Sequence, residues 1–394
     1  MLFNSFIFII VFLPAFLLLW HGIKSVKFKL AVLTVMSFIF YGYWDYRFVG
    51  LMVISIIIDF ICGEQIHKHL ISEKKVAKRW MMVSIISNLT ILGFFKYFNF
   101  FVDTFFALIP LEGIVSQPTL EVILPIGISF YTFQSMSYSI DLYRGEAQKV
   151  KSFLHFSAYV SMFPQLIAGP IVRYSDISNQ LASIKNKFDY GKFLEGVQYF
   201  VIGLFRKLFI ADYFATQADL FFNGSYEFQF IGAWFGVISY AFQIYFDFSA
   251  YSEMAIGLGK MFGFDFPVNF NSPYKARSFS DFWLRWHITL SRFLRDYLYI
   301  PLGGNKNGEV RTYVNLALTM LIGGLWHGAS WLFVIWGGLH GIYLAIERMI
   351  SRDRLKRLWA YRLVVFLLVC LAWIFFRSES LDFAIKALRA CLLF

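Results

Sequence analysis

Long apolar stretches alternate with short polar ones along most of this 394-residue chain. The apolar stretches lie near residues 2–20, 30–44, 49–62, 80–109, 120–140, 194–222, 230–250, 312–326, 331–347 and 361–376. A helix needs about 20 apolar residues to cross a bilayer, and fewer where neighbouring protein shelters it. The pattern therefore predicts an all-α polytopic membrane protein of ten or eleven helices, with irregular segments at membrane depth. No internal repeat or linker divides residues 1–394, which are predicted to form a single membrane domain.

Composition supports this prediction. The chain is 58% hydrophobic and 15% charged, whereas soluble domains are about 45–50% apolar and about 25% charged. The net charge is +11, but the lysines and arginines fall in short clusters between apolar stretches. This arrangement is typical of the cytoplasmic loops of a protein in the lipid bilayer, and it argues against a nucleic-acid partner.

The basic clusters also predict orientation, because cytoplasmic loops carry an excess of Lys and Arg. Residues 68–80 contain five basic residues and one glutamate, so this loop is predicted to be cytoplasmic, as are residues 24–29 and 173–192. Residues 110–119 are then expected outside. The first twenty residues lack a basic start and a small-residue cleavage site, so they are interpreted as a retained helix rather than a signal peptide.

The stretch 153–171 conflicts with a simple spanning topology, since basic segments predicted to be cytoplasmic flank it on both sides. It contains Pro164, Gly169 and Pro170, which would break a straight helix. We therefore expect a re-entrant or in-plane segment. Irregular backbone at membrane depth is tolerated only where protein buries it or where it lines a wet cavity.

Metal and disulfide chemistry have little support in the sequence. Cys62, Cys370 and Cys391 are far apart and lie in or beside apolar segments, so they are predicted to be packing residues rather than a disulfide framework. His67 and His69 lie in a basic loop, where solvation is the simpler interpretation. We predict no metal site and no bound cofactor.

Two histidines stand out in apolar surroundings. His287 lies in residues 281–304, where helical spacing places Asp281, Arg285, Arg292 and Asp296 on one face and His287 on the opposite face. Such a helix suits an interfacial or cavity-lining position. A packed core histidine is the alternative, and the stretch alone does not decide between them.

The second histidine, His327, follows Trp326 between two long apolar stretches and is predicted to lie near a hairpin turn or break at membrane depth. Gly323, Gly324 and Gly328 would let other backbone or a substrate approach, and Trp326 and Trp331 are expected to shield the ring from water. Desolvation keeps an imidazole neutral, and a neutral ring can act as a general base worth roughly 10²–10⁴ in rate. A histidine hydrogen-bonded in a helix interface is the alternative.

The acidic residues Asp247 and Glu253 are interpreted differently. Carboxylates are costly inside a bilayer and usually pair with cations. Arg277, Arg285 and Arg292 are close in sequence, so an ion-pair network is the leading expectation for these acids.

Four long motifs together resemble the membrane-bound O-acyltransferase family, in its bacterial alginate O-acetyltransferase-like branch. They are LPIGISFYTFQSMSYSIDLYRG (124–145), FPQLIAGPIVRY (163–174), the run from Tyr245 to Gly304 and GGLWHGASWLFVIWGGLHG (323–341). The motifs are very specific and cover most of the chain in order. Branch members often continue beyond the WIFFRS stretch (373–378) with further helices, whereas this chain ends at Phe394.

The resemblance implies a ring of membrane helices around a central funnel or tunnel in the cytoplasmic (inner) membrane. It implies that His327 is catalytic and that His287 faces the same tunnel. The implied donor is acetyl-CoA, and the implied acceptor is an exported polysaccharide, reached through an extracytoplasmic SGNH-type partner. D-alanyl transfer to teichoic acid by the same fold, and a non-catalytic polysaccharide transporter, are the alternatives.

Overall fold

The computed structural model describes residues 1–109, 120–121, 123–184, 187–224, 229–350 and 359–393. All regular secondary structure in these ranges is helical, which confirms the predicted all-α class. Residues 110–119, predicted to lie on the outer side of the membrane, are not among the described residues.

The helices of the first half are α1 Leu13–Gly22, α2 Val26–Gly42, α3 Arg47–His69, α4 Lys74–Leu92, α5 Phe98–Leu108, α6 Ile128–Arg144, α7 Phe153–Ser161, α8 Phe163–Leu166, α9 Tyr174–Ala182 and α10 Tyr190–Phe205. Those of the second half are α11 Asp212–Phe222, α12 Phe230–Met261, α13 Phe279–Trp283, α14 Ile288–Leu294, α15 Glu309–His327, α16 Trp331–Met349, α17 Trp359–Arg377 and α18 Leu381–Leu392. Wider π-helical turns occur at Ile7–Phe12, Gly93–Tyr97, Arg206–Ala211 and Arg295–Tyr299, and a 3₁₀ turn at Pro273–Lys275.

Three helical segments in the described ranges are long and apolar enough to cross a bilayer: Arg47–His69, Lys74–Leu108 and Trp359–Arg377. A shorter apolar helix covers Ile7–Gly22. Many large apolar side chains point outward, and Phe6 is 83% exposed. A surface of this kind is suited to lipid rather than to water.

The contacts divide the chain into two compact units. The first comprises residues 1–202 and 251–267, and the second comprises residues 203–250 and 268–394. Aromatic rings fill the core of the first unit, where Phe163 lies within 5.1–5.4 Å of the rings of Phe12, Phe16 and Phe40, measured between centroids.

The first unit also contains a fully buried carboxylate, Asp59 of α3. The Ser84 hydroxyl donates to it at 2.6 Å, and the Asn88 amide donates to both its oxygens at 2.8 and 2.9 Å. A buried charge is costly unless it is hydrogen-bonded. These contacts therefore favour the register of α3 and α4 in which Asp59 faces Ser84 and Asn88.

The broken segment predicted at 153–171 is present. α7 ends at Ser161, the backbone turns at Met162, and α8 lasts only four residues before an irregular stretch follows. A Cβ on Gly169 would lie 2.5 Å from the carbonyl oxygen of Pro164, so glycine is required for this tight return of the chain. The absence of a straight helix here agrees with the sequence interpretation.

In the second unit, α15 and α16 form the predicted hairpin around His327. A Cβ on Gly324 would lie 2.2 Å from the carbonyl oxygen of Phe333, and a Cβ on Gly337 would lie 2.3 Å from that of Met320. These glycines therefore let the two backbones pack closely, as small residues do between membrane helices.

The close contact between α15 and α16 predicts that alanine substitutions at two neighbouring glycines change the stability of the protein by very different amounts. Gly337→Ala should destabilise the protein by about 1–3 kcal/mol, since the methyl group collides with backbone that cannot move freely. Gly338→Ala is the matched control, because its Cβ would meet only the Leu321 side chain at 3.5 Å. Thermal unfolding of both variants in detergent measures the difference; equal stability would contradict the close helix contact.

One sequence prediction is wrong. Residues 281–304 do not form a continuous amphipathic helix with opposed faces; the helix ends at Trp283 and a new one starts at Ile288. The reason is pairing with the preceding irregular segment, in which the N–H of Asn271 donates to the carbonyl of Arg285 and the N–H of Ile288 donates to that of Asn269, both at 2.9 Å.

The expected ion pairs also differ in their partners. Asp247 pairs with Lys207 at 2.7 Å, and Arg285 pairs with Asp281 at 2.8 Å. The prediction that an arginine of residues 277–292 would neutralise Asp247 overlooked Lys207, which is 40 residues earlier in sequence. The three cysteines are free and buried, as predicted.

Candidate active site

His287 lies in the turn between α13 and α14, with a backbone φ of +42°. This left-handed conformation is uncommon for residues other than glycine and costs free energy that the surrounding structure must offset. Strain of this kind concentrates at functional sites. The turn directs the ring into the interior, where His287 is completely buried.

Asn269 determines which ring nitrogen of His287 carries the proton. Its Oδ1 lies 3.2 Å from Nδ1 of His287 and accepts from the backbone N–H and hydroxyl of Thr289 at 3.2 and 2.9 Å. A backbone N–H can only donate, so the Asn269 atom at this position must be the oxygen. Nδ1 of His287 therefore carries the hydrogen, and Nε2 presents a lone pair.

The Nε2 lone pair lies in a closed, aromatic environment. The Phe248 ring packs edge-on at 4.8 Å between centroids, and Nε2 has no hydrogen-bond partner among the described residues. His287 lies outside the three segments that are long enough to span, and its burial lowers the pKa of the ring to about 3. The ring is accordingly neutral at physiological pH and able to accept a hydrogen bond.

His327 is the last residue of α15, and the chain becomes extended at Gly328. Its ring packs against Trp326, Trp336 and Phe376 at centroid distances of 5.0, 5.1 and 5.2 Å. The predicted shielding by Trp326 is observed. Trp331, however, is 55% exposed, and the aromatic neighbours from α16 and α17 are Trp336 and Phe376.

The fold brings His287 and His327 together although 40 residues separate them in sequence. Their ring centroids are 6.4 Å apart, with the planes inclined by 64°, and Trp326 packs against both. The two rings are therefore neighbours in the aromatic interior of the second unit, at a separation that a small polar group can bridge.

Sequence reasoning missed three buried polar residues of the second unit. Asn269 orients His287, and no sequence signal marked it apart from its place in a quoted motif. Glu347, a buried acid in the apolar helix α16, accepts hydrogen bonds from the backbone N–H groups of Phe279 and Ser280 at the start of α13. Its position in an apolar stretch could have identified it.

The third missed residue is His340 of α16, which is fully buried. Its ring lies 4.9 Å from that of Trp336, the same indole that packs against His327. His340 thus belongs to the aromatic packing that surrounds the pair. The sequence signal was present, since His340 lies in the GGLHG segment (337–341) of an apolar helix.

Apolar helices that are long enough to cross a bilayer, and an adjacent pair of histidines of which His287 is fully buried and His327 half-buried, together indicate a membrane protein with polar groups in its interior. Residues 140–375 match the model of the membrane-bound O-acyltransferase family. The chain belongs to this family, as the resemblance implied, and it is a membrane enzyme that transfers acyl groups to oxygen.

Relatives in bacteria share most of the chain. It is 44% identical to the probable alginate O-acetylase AlgI of Azotobacter vinelandii, over 98% of this chain and 76% of the relative. It is 41% identical to the peptidoglycan O-acetyltransferase of Helicobacter pylori, over 99% of this chain and 79% of the relative. It is 28% identical to the teichoic acid D-alanyltransferase of Streptococcus thermophilus, over 65% and 67% of the two chains.

Proposed function

We propose that this enzyme passes an acetyl group from cytoplasmic acetyl-CoA across the cytoplasmic membrane for O-acetylation of an exported polysaccharide. The higher identity to alginate and peptidoglycan O-acetyltransferases than to the D-alanyltransferase supports the acetyl donor. The acceptor class is an alginate-like polymer, peptidoglycan or cellulose. An extracytoplasmic SGNH-type protein is the proposed partner that completes transfer to the polymer.

The observation that carries this proposal is the pair of histidines, whose ring centroids are 6.4 Å apart and whose rings both pack against aromatic side chains. In the transfer step, the bond between the acetyl carbon and the donor sulfur breaks, and a new bond forms between that carbon and the acceptor. His327 serves either as the base that takes the acceptor hydroxyl proton or as the transient acyl carrier; in both cases the leaving thiolate takes up a proton.

The role of His287 follows from its tautomer. Because Nδ1–H donates to Asn269, Nε2 can accept but cannot donate a hydrogen bond. His287 therefore orients a donor group, such as a ring N–H of His327 or an N–H or O–H of a substrate, rather than stabilising an oxyanion. It adds no positive charge to the site, since its ring remains neutral.

In the wider architecture we propose, the whole chain acts as one domain, residues 1–394. Its helices would form a ring around a funnel that leads from the cytoplasm to the histidine pair. The broken helices α7 and α8 suit such a funnel, because non-helical backbone at membrane depth must be sheltered by protein or line a cavity.

The donor is tested directly by labelled transfer in membranes. Membranes that contain the enzyme and its partner should move label from radioactive acetyl-CoA to polysaccharide, and His327→Ala membranes should not. Labelled D-alanine on a carrier protein should give no transfer. Transfer of D-alanine in place of acetyl would select the other donor, and polymer export without either transfer would indicate a transporter.

A separate prediction tests the assigned tautomer. Asn269→Asp keeps an acceptor for Nδ1–H but adds a negative charge, which raises the pKa of a neighbouring imidazole by about 1–3 units. The ring of His287 then becomes protonated as the pH falls, and its Nε2 loses the lone pair. Starting from about 3, the pKa of His287 would then lie at about 4–6. Relative to the native enzyme, the variant should therefore transfer acetyl up to about tenfold more slowly at about pH 5 than at about pH 8.

The control for this variant is Asn305→Asp, an added charge at an exposed asparagine. Acetyl transfer by that variant should follow the native pH profile. An Asn269→Asp enzyme whose relative rate does not change with pH would show that Asn269 has no influence on the reacting form of His287.

A further inference from the structure

The first unit contains a cavity of about 240 Å³ that the histidine site does not use. Three separate segments line it: the end of α1 with the start of α2, residues 180–184 and 187–192, and the end of α12 with the turn after it. Among the described residues, its charged lining consists of four lysines and two carboxylates: Lys29, Lys187, Lys192, Lys260, Asp189 and Asp265.

Hydrogen bonds hold the walls of this cavity in place. The Trp20 indole N–H donates to the carbonyl of Phe262, and Nε2–H of His21 donates to that of Met261, both at 3.0 Å. The Gln180 side chain exchanges two hydrogen bonds with the backbone of Asp265, at 2.7 and 3.1 Å. The cavity therefore belongs to the folded structure of the unit rather than to a flexible rim.

Asp265 positions two of the lysines. Its carboxylate contacts Lys192 at 2.6 Å and Lys260 at 3.1 Å. Lys192 also donates to the carbonyl of Gly263 at 2.9 Å, and Lys260 lies 2.9 Å from Glu195. An ammonium group has three N–H donors, so these contacts leave Lys192 one N–H that can meet a ligand. Lys260 also lies 5.8 Å from the centre of the Tyr199 ring.

The other carboxylate, Asp189, accepts from the backbone N–H of Lys192 at the start of α10 and so serves as a helix cap. Lys29 is only 2% exposed, and its ammonium lies 5.3 Å from the centre of the Trp20 ring. A lysine that only contributed to the positive charge of a cytoplasmic loop would remain solvated. Lys29 is buried instead, and its charge lies inside the cavity.

We propose that this cavity is a binding site for a phosphate group. Lysine ammonium groups are common phosphate ligands, and here lysines from three distant segments converge on one preorganised space with an excess of positive charge. The volume is below the roughly 300–1,000 Å³ of sites that enclose a whole drug-sized ligand. The cavity therefore holds the phosphate-bearing part of a larger molecule.

Two molecules could supply this phosphate: the nucleotide end of the acyl donor, or the headgroup of an anionic lipid. The assignment to the donor rests on the proposed function, whereas the phosphate site itself does not. Both sources agree with the predicted cytoplasmic position of the basic segments 24–29 and 173–192.

Binding to the full-length chain in phosphatidylcholine nanodiscs tests the site. Calorimetric titration should detect ADP and CoA but not adenosine, which lacks phosphate. Lys29→Gln and Lys187→Gln should each weaken binding about tenfold, as expected for one charged hydrogen bond. Lys187 is exposed, so its variant tests the site without disturbing the core, and Lys74→Gln is the control on an exposed lysine that does not line the cavity.

A second arm replaces part of the phosphatidylcholine with phosphatidylglycerol and measures thermal stability. The result that points to lipid is the following: phosphatidylglycerol stabilises the native protein, both Lys29→Gln and Lys187→Gln abolish this stabilisation, and the native protein does not bind nucleotide. The phosphate would then belong to a lipid headgroup. If these variants change neither nucleotide binding nor the lipid effect, the phosphate site is wrong. Nucleotide binding should persist in His327→Ala protein. The phosphate site is therefore tested separately from acetyl transfer, and a failure of the proposed transfer would not count against it.

Discussion

Replacing His327 with alanine is expected to abolish O-acetylation of the polymer while the protein still accumulates in the membrane. The ring ends α15 at the helix break and packs against three aromatic side chains. Loss of a general base alone lowers a rate by roughly 10²–10⁴, and loss of an acyl carrier would remove the route altogether. His327 is only half-buried, so its truncation should leave the fold intact.

The measurement is acetyl transfer in membranes, normalised to the amount of folded protein. His67→Ala is the control, because His67 is an exposed histidine of α3. Native acetylation by the His327→Ala enzyme would refute the catalytic assignment. Retention of labelled acetyl on the native protein, but not on the variant, would identify His327 as the carrier rather than the base.

The second large effect is expected at His287. His287→Ala should reduce transfer about 10²-fold or more, because the Nε2 acceptor is lost. The double variant with His327→Ala should be little worse than His327→Ala alone, since residues that act as one unit give non-additive losses. The 6.4 Å separation of the rings is the physical reason to expect this coupling.

The backbone at His287 requires a second variant. Its φ of +42° is unfavourable for alanine, so His287→Ala could lose activity through misfolding. His287→Gly removes the ring and relieves the backbone strain; it should fold at native levels and remain inactive. Losses that multiply in the double variant, or an active His287→Gly enzyme, would show that the two histidines do not work together.

Both candidate histidines could be predicted from the sequence because each is an ionisable ring in an apolar stretch, where desolvation makes such a residue expensive. The helix break at His327 was also predictable, because only a short link joins the two apolar stretches on either side of it. The hydrogen-bond partner of His287 was not predictable, because Asn269 is 18 residues away in the chain. Glu347 likewise accepts from the backbone of Phe279 across 68 residues. Such pairings depend on how the segments fold against one another.

The failed prediction for residues 281–304 has the same origin. Periodicity assumes that a helix continues as long as its residues favour it. Here the carbonyl of Asn269 and the N–H of Asn271 bond to the turn, so the helix breaks and His287 adopts a left-handed conformation. A long-range hydrogen bond replaced a local one, and local pattern carries no information about such an exchange.

Hydropathy, helix-breaking residues and specific motifs are local properties of the chain, and they sufficed to predict the membrane class, the family and the broken segment after α6 and to select the two candidate histidines. Only the folded chain shows that the centroids of the two rings are 6.4 Å apart, that Asn269 accepts a hydrogen bond from Nδ1–H of His287, and that Lys207 rather than an arginine pairs with Asp247. Distances between residues far apart in sequence arise from packing and hydrogen-bond competition in the folded protein, and these depend on every contacting segment at once.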